Sequence, residues 1–236
     1  LLSAIERDVY EPRRCEPRRC EPRRCERDDA SATTRATLLR WACYVRAMDA
    51  KQLVDAAMAL DAMTDLPRTG WVMRGVAGAE TLAAHSFGVA WVAALLVDAL
   101  RADGHTIDGE KVLRMALVHD APEAALGDVP MPVKTPALDT ALAEVERELA
   151  KRLLPASFLA DYEELERGES LEARVVRASD KLQLVLRLYR YELQGRGQLD
   201  ELWESAGNFR DRGLALVREA FDEVLRRAGR ARPEGA

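Results

Sequence analysis

The chain has 236 residues, of which 48% are hydrophobic and 32% charged, and 35 basic against 40 acidic side chains leave a net charge of −5. That length and balance belong to a globular chain able to bury a substantial core; they exclude a disordered or fibrous protein and a strongly basic nucleic-acid binder. Aromatic residues make up only 6%, and β-branched runs are scarce beside Ala, Leu, Glu and Arg, so helix is the first expectation.

In chain order, the first segment differs from the rest. Residues 11–25 are a perfect threefold repeat of Glu-Pro-Arg-Arg-Cys carrying Cys15, Cys20 and Cys25. The Cys-x4-Cys-x4-Cys series lacks zinc-site spacing and has no histidine nearby, and a proline every fifth residue forbids a regular helix. Within residues 1–30 eight arginines face eight acidic residues, which weakens the case for a basic arm. Leu1–Tyr10 holds Glu6 and Asp8 and no long apolar stretch, so it does not read as a secretory signal, and a cytoplasmic protein is expected. The missing initiator Met is what a fragment, a processed form or a misplaced gene start would each produce. Residues 1–29 are expected to be a flexible low-complexity extension, and residues 30–236 one helical domain.

Ser31 is placed to cap a helix running to about Met48, with Leu38, Leu39, Trp41, Cys43 and Val45 available for burial. A second helix is expected over Ala50–Met63, with Leu53, Ala56, Ala57, Leu60 and Met63 on one stripe. Thr64–Glu80, holding Pro67, Gly70, Gly75 and Gly78, reads as a long loop, and such loops in compact domains are often functional. A helix follows over Thr81–Arg101; its uncharged apolar run, Phe87–Val97, is shorter than the about 20 residues of a membrane span and reads as a central buried helix. Asp108 caps the next helix, which reaches His119 before Pro122 ends or kinks it. Beyond a loop with Gly127, Pro130, Pro132 and Pro136, helices are expected over Ala137–Leu154, Ala156–Arg167, Ser170–Gln194 and Gln198–Arg227. No strand alternation is convincing, and the fold class is all-α, a helical bundle.

There is no phosphate-cradling glycine loop, no Gly-x-Ser-x-Gly elbow and no Cys-x-x-Cys. The chemistry rests on three features. His119-Asp120 closes the apolar run Leu117-Val118, where a carboxylate needs a cation, a donor or a metal. His85 precedes the longest apolar run. Asp180 shares a helical stripe with Val176 and Leu184, although a salt bridge to Arg177 or Lys181 is the plainer reading of it alone. A single buried histidine is most often a satisfied core residue, but two with carboxylates suit a borderline or hard divalent ion. The third histidine, His105, lies in the turn Asp103-Gly104-His105 and reads as a bystander.

The ordered set His85, His119-Asp120 and Asp180 resembles the metal-binding signature of the HD-domain phosphohydrolases. The flanking text is similar to the HD-domain-containing protein 2 group, over Pro67-Arg68-Thr69-Gly70-Trp71-Val72-Met73-Arg74, Glu80…His85-Ser86, and Leu117-Val118-His119-Asp120-Ala121-Pro122-Glu123…Gly127-Asp128-Val129-Pro130. The resemblance covers roughly residues 50–195 and omits the repeat. It implies an HD-domain helical bundle holding a divalent ion (Co, Mn, Mg, Zn or Fe) on His85, His119, Asp120 and Asp180, and a 5′-deoxynucleotidase acting on deoxyribonucleoside monophosphates. It further implies that Arg68, or Arg74 as the weaker alternative, orients the phosphate. Glu123 would handle protons or help to hold a second ion, and Asp128 with the Val129 carbonyl would lie near that ion or the sugar. Trp71 would discriminate at C2′, although the bacterial enzymes place Arg and Trp side by side and here Thr69 and Gly70 intervene. Related proteins are commonly homodimers, and Trp203, Phe209 and Phe221 would serve an interface or, individually, the core. The partner is a free nucleotide, with neither nucleic-acid polymer nor membrane expected. The alternatives are a nucleotide phosphodiesterase, a pyrophosphohydrolase, a di-iron oxygenase or a non-catalytic helical interaction module.

Overall fold

The computed structural model describes residues 48–130, 133 and 135–236. The chain divides into two units, Leu1–Met48 and Asp49–Ala236. The repeat-bearing extension, all four cysteines and the helix expected from Ser31 lie outside the described residues.

The described residues form helices, and their only extended pairing is an isolated bridge between Pro67 and Thr81. Helix α1 (Ala50–Ala59) starts from a reciprocal cap: the Asp49 side chain accepts from the Gln52 N–H while Gln52 Oε1 accepts from the Asp49 N–H. A 3-10 turn (Asp61–Thr64) and the short α2 (Thr69–Val72) lead to α3 (Leu82–Ala102) and α4 (Gly109–Val118). The four-residue α5 (Glu123–Leu126) precedes α6 (Pro136–Leu153), α7 (Ala156–Arg167) and α8 (Leu171–Leu193). The chain closes with α9 (Asp200–Glu204), a 3-10 turn (Ala206–Phe209) and α10 (Ala215–Ala228). Thr81, Asp108, Thr135 and Ser170 each accept an N–H of the first turn of α3, α4, α6 and α8, so local chemistry sets where these helices begin.

Helix α8 is the axis of the bundle, touching α3, α4, α7 and α10. Val89, Ala93, Val112, Met115, Val176 and Val185 are buried together where α3, α4 and α8 meet. A smaller apolar cluster of Val118, Ala121, Ala150, Leu154 and Tyr162 ties the end of α4 to α6 and α7. Its members Val118 and Ala121 flank His119-Asp120 on both sides, so packing pins that turn from behind. By length and composition α3 is long and apolar enough to cross a membrane. One side of it nevertheless forms the core, while Phe87, Trp91 and Leu95, four residues apart, are 72%, 59% and 51% exposed.

Two expectations are corrected and one open choice is decided. Helix α1 stops at Ala59 and buries none of its residues: Leu53, Val54 and Met58 are exposed, and only Met63, in the following 3-10 turn, is buried. The helix expected over Gln198–Arg227 is broken at Asp211-Arg212-Gly213. There Arg212 and Gly213 adopt φ of 54° and 75°, which a right-handed helix cannot contain, and the Asp211 side chain accepts from the Gly213 N–H at 2.8 Å. Of the two uses open to Trp203, Phe209 and Phe221, the core is the one found: all three are buried, with Phe209 edge-on to Phe221 at 5.4 Å.

Candidate metal centre

Three elements bring the signature residues together. His85 lies in the first turn of α3, where its N–H bonds to the Thr81 carbonyl. His119 and Asp120 form the turn after α4, and Asp180 sits in the middle of α8. His85 Nε2 lies 3.2 Å from His119 Nε2 and 3.3 Å from Asp180 Oδ1. Asp120 Oδ2 is 3.2 Å from His119 Nε2 and 3.7 Å from His85 Nε2. His85, His119 and Asp180 form the mutually close group able to hold an ion, with Asp120 beside it. Ligands at about 2.1 Å from a common ion stand roughly 3.0–3.4 Å apart, so these separations fit a shared cation.

The donor chemistry fits as well. His119 Nδ1 lies 2.9 Å from the Ala116 carbonyl, which can only accept, so Nδ1 carries a proton and a neutral ring presents the Nε2 lone pair. Two such lone pairs and two carboxylates facing one another repel unless a positive charge sits among them. Burial opposes a proton on His119, yet Asp120, and more weakly Asp180, outweigh it and push its pKa up to about 9. Asp120 resists burial because His119 and Arg68 hold it below the usual carboxylate range; Asp180 is held low against burial by Lys181 and His85. Asp180 thus makes the expected salt bridge, with Lys181 Nζ 3.0 Å from Oδ2, while Oδ1 faces His85.

Arg68, the residue before α2, donates from Nη1 to Asp120 Oδ2 at 2.8 Å and lies 3.8 Å from Glu123 Oε2. Burial works against its charge, but Asp120, Asp128, Glu123 and Asp180 together keep it firmly protonated. Glu123 opens α5, and its Oε2 is buried without a hydrogen bond. Burial, then Asp120 and Asp128, push its carboxyl up to about 9 despite Arg68. Asp128 reaches the same loop, accepting from the Gly70 N–H at 3.3 Å. Gly127 makes that return possible, since its φ of 80° is one an L-residue rarely adopts. Val129 is half-buried, and among the described residues its carbonyl accepts no hydrogen bond. Arg74 turns away, to the Gly70 carbonyl and Glu201, and His105 is exposed.

Trp71 points into the core. Its ring is 4% exposed, stands edge-on to Tyr191 at 5.2 Å and donates from Nε1 to Glu80 Oε1 at 2.9 Å. A ring so enclosed does not favour the direct contact at C2′ that the resemblance implies.

The structure adds Gln183, Arg187 and Tyr191, which sequence reasoning missed, and gives a role to Glu80, which the sequence alone offers only as text flanking His85. Gln183 Oε1 lies 2.6 Å from His85 Nδ1, and Gln183 Nε2 donates to Glu80 Oε2 at 3.1 Å. Arg187 Nε also donates to Glu80 Oε2, at 2.7 Å, and the Glu80 N–H donates to the Tyr191 hydroxyl. Two signals pointed there: a glutamine on the buried side of α8 between Leu182 and Val185, and a glycine, Gly88, inside the apolar helix one turn after His85.

Residues 60–212 match the HD domain family model. The 5′-deoxynucleotidase HDDC2 of Xenopus laevis is 30% identical over 187 residues, covering 73% of this chain and 88% of that protein. That of Danio rerio is 29% identical over 175 residues, covering 68% and 82%. Among solved structures, the PH0347 protein from Pyrococcus horikoshii OT3 superposes with a TM-score of 0.63 at 35% identity, covering 75% of this chain and 98% of that one.

Proposed function

This chain belongs to the HD domain family, and from that membership we propose that it is a metal-dependent 5′-deoxynucleotidase, releasing phosphate from deoxyribonucleoside 5′-monophosphates. The observation that carries the reading is the convergence of His85 Nε2, His119 Nε2 and Asp180 Oδ1 beside Asp120 and the Arg68 guanidinium. His85, His119, Asp120 and Asp180 would hold one divalent ion, and their mixed nitrogen and oxygen donors suit Co, Mn, Fe or Zn, with Mg the harder alternative. When bound, such an ion acidifies a water nucleophile and offsets charge building on phosphorus.

The chain's own residues do the rest. Arg68, oriented by Asp120, has further N–H groups with which to hold phosphate oxygens in a fixed plane. Two aspartates offset the charge of a dication, so this guanidinium supplies attraction for an anionic substrate that the ion alone would not. Glu123 carries a proton at neutral pH and hands it from its carboxyl to the 5′-oxygen as the P–O bond breaks. The other role the resemblance implies, a ligand to a second ion, would require that proton to be displaced by the cation. Asp128, held by the Gly70 N–H, and Val129 border the sugar side.

The chain is further read as a cytoplasmic homodimer acting on free nucleotides, with no role at a membrane or on nucleic-acid polymers. The exposed stripe Phe87, Trp91 and Leu95 supports self-association, and Trp91→Glu should convert a dimer to a monomer in light scattering. The activity is tested by offering the metal-loaded protein deoxy- and ribonucleoside monophosphates, a nucleotide diester and a nucleoside triphosphate. Phosphate release from the deoxynucleoside monophosphates supports the proposal. Cleavage confined to the diester or to the triphosphate would replace it with a phosphodiesterase or pyrophosphohydrolase.

A further inference from the structure

We propose that Gln183 and Glu80 are positioning residues that fix the tautomer of His85, so that its Nε2 is available to the metal. The inference rests on the reading of His85 as a ligand. It concerns a different layer of the site, since neither Gln183 nor Glu80 belongs to the converging group.

His85 is 1% exposed, so no bulk water chooses which of its nitrogens carries the proton. Its Nδ1 meets one end of the Gln183 amide, which offers an accepting oxygen or a donating nitrogen depending on a flip of the group. If the amide presented nitrogen, Nδ1 would have to accept, the proton would move to Nε2, and the lone pair facing the ion would be lost. Glu80 removes that freedom. Its two carboxyl oxygens already accept from Arg187 Nε and Trp71 Nε1, so the amide end beside Oε2 must be the donating nitrogen, and the end beside His85 the oxygen. Glu80 in turn is held in place by Arg187 and Trp71, and its backbone by Tyr191. The polarity of a buried carboxylate is thus relayed through one amide to the ring.

Gly88 is an independent sign that the fold makes room for this relay. A Cβ there would stand 2.8 Å from Gln183 Cγ and 2.9 Å from Nε2, closer than real Cβ atoms approach. Glycine weakens a helix interior, and at this position its missing side chain is what lets the amide lie across α3. The relay also gives Trp71 a role: from the core it secures Glu80, two hydrogen bonds away from His85.

The test uses the full chain, first metal-free, with the ring nitrogens of His85 read by long-range proton–nitrogen NMR across a pH series. Mn2+ affinity is then measured by chelator competition. Wild type should show Nδ1 protonated. In Glu80→Gln the amide is free to flip, so the tautomers should mix and Mn2+ affinity fall by about 10–100-fold. Gln183→Leu should do the same, as should Gly88→Ala, which retains both polar residues. The double exchange Glu80→Gln/Gln183→Glu restores the polarity, an amide donating to a carboxylate that accepts from Nδ1, and should return the tautomer and most of the affinity. Variants that melt earlier while His85 keeps its tautomer would overturn the proposal, as would a double exchange no better than Glu80→Gln. If wild type binds no Mn2+ or Co2+, the ligand reading fails, and the NMR arm still decides whether the relay sets the tautomer.

Discussion

Replacing Trp71 with Phe separates a core role from a substrate role. The substitution removes the Nε1–H bond to the Glu80 carboxylate and part of a ring enclosed against Tyr191. A hydrogen bond to a charged group contributes about 1.5–3 kcal/mol. The lost apolar surface adds about 1 kcal/mol. The sum, about 2.5–4 kcal/mol, is a large share of a typical domain's 5–15 kcal/mol and corresponds to roughly 5–15 °C in Tm. Urea unfolding of the metal-free protein, with an unchanged m-value, measures it. The companion assay is kcat/KM on paired deoxyribo- and ribonucleoside monophosphates. Because the ring is enclosed, the ratio of the two should stay at its wild-type value even if both rates fall. A ratio that collapses toward unity in a protein of unchanged stability would refute the burial argument and return Trp71 to the sugar.

Further outcomes follow from the same geometry. Arg68→Met should lower kcat/KM by about 100–1,000-fold, the cost of losing one preorganised donor to developing charge, and Arg68→Lys should recover only part because it lacks the planar fork; an unchanged kcat/KM would show that the phosphate is held elsewhere. Glu123 titrates near 9 when folded and in the ordinary carboxylate range when unfolded, so its contribution to stability is full below the unfolded value and is lost as pH rises through 9. Metal-free Glu123→Gln should therefore lose less Tm than wild type between acidic and alkaline pH, and parallel curves would contradict the raised pKa. Deleting residues 1–29 should leave turnover nearly unchanged, whereas a large loss would place the repeat in the working enzyme.

The parts of this architecture legible in the sequence were those with local causes. Thr81, Asp108 and Ser170 announce helix starts by their side-chain acceptors, and Gly168 stops α7 in a left-handed cap. His85, His119-Asp120 and Asp180 were legible as an ordered set, and the fold brings one ligand atom each of His85, His119 and Asp180 within 4.8 Å of one another, with Asp120 beside them. What stayed hidden depended on tertiary contact. Nothing in Arg68-Thr69-Gly70-Trp71 says which way a one-turn helix rotates, so Arg68 meeting Asp120 and Trp71 turning into the core could only be seen once α2 was placed. Glu80 belongs to the segment around His85 that carries the resemblance, but nothing there ties it to Gln183, 103 positions on; the meaning of the pair comes from the ring they act on. The break at Asp211-Arg212-Gly213 was visible as an Asp and a Gly two positions apart, but helical periodicity on either side masked it.

The most direct measurement of the central claim is phosphate release from a deoxyribonucleoside 5′-monophosphate as a divalent ion is returned to chelator-stripped protein, in wild type and in His119→Ala and Asp120→Ala. Release should vanish on stripping, return with Co2+ or Mn2+ in wild type, and fail to return in either variant. Release that survives stripping, or variants that match wild type, would contradict a metal held by His85, His119, Asp120 and Asp180.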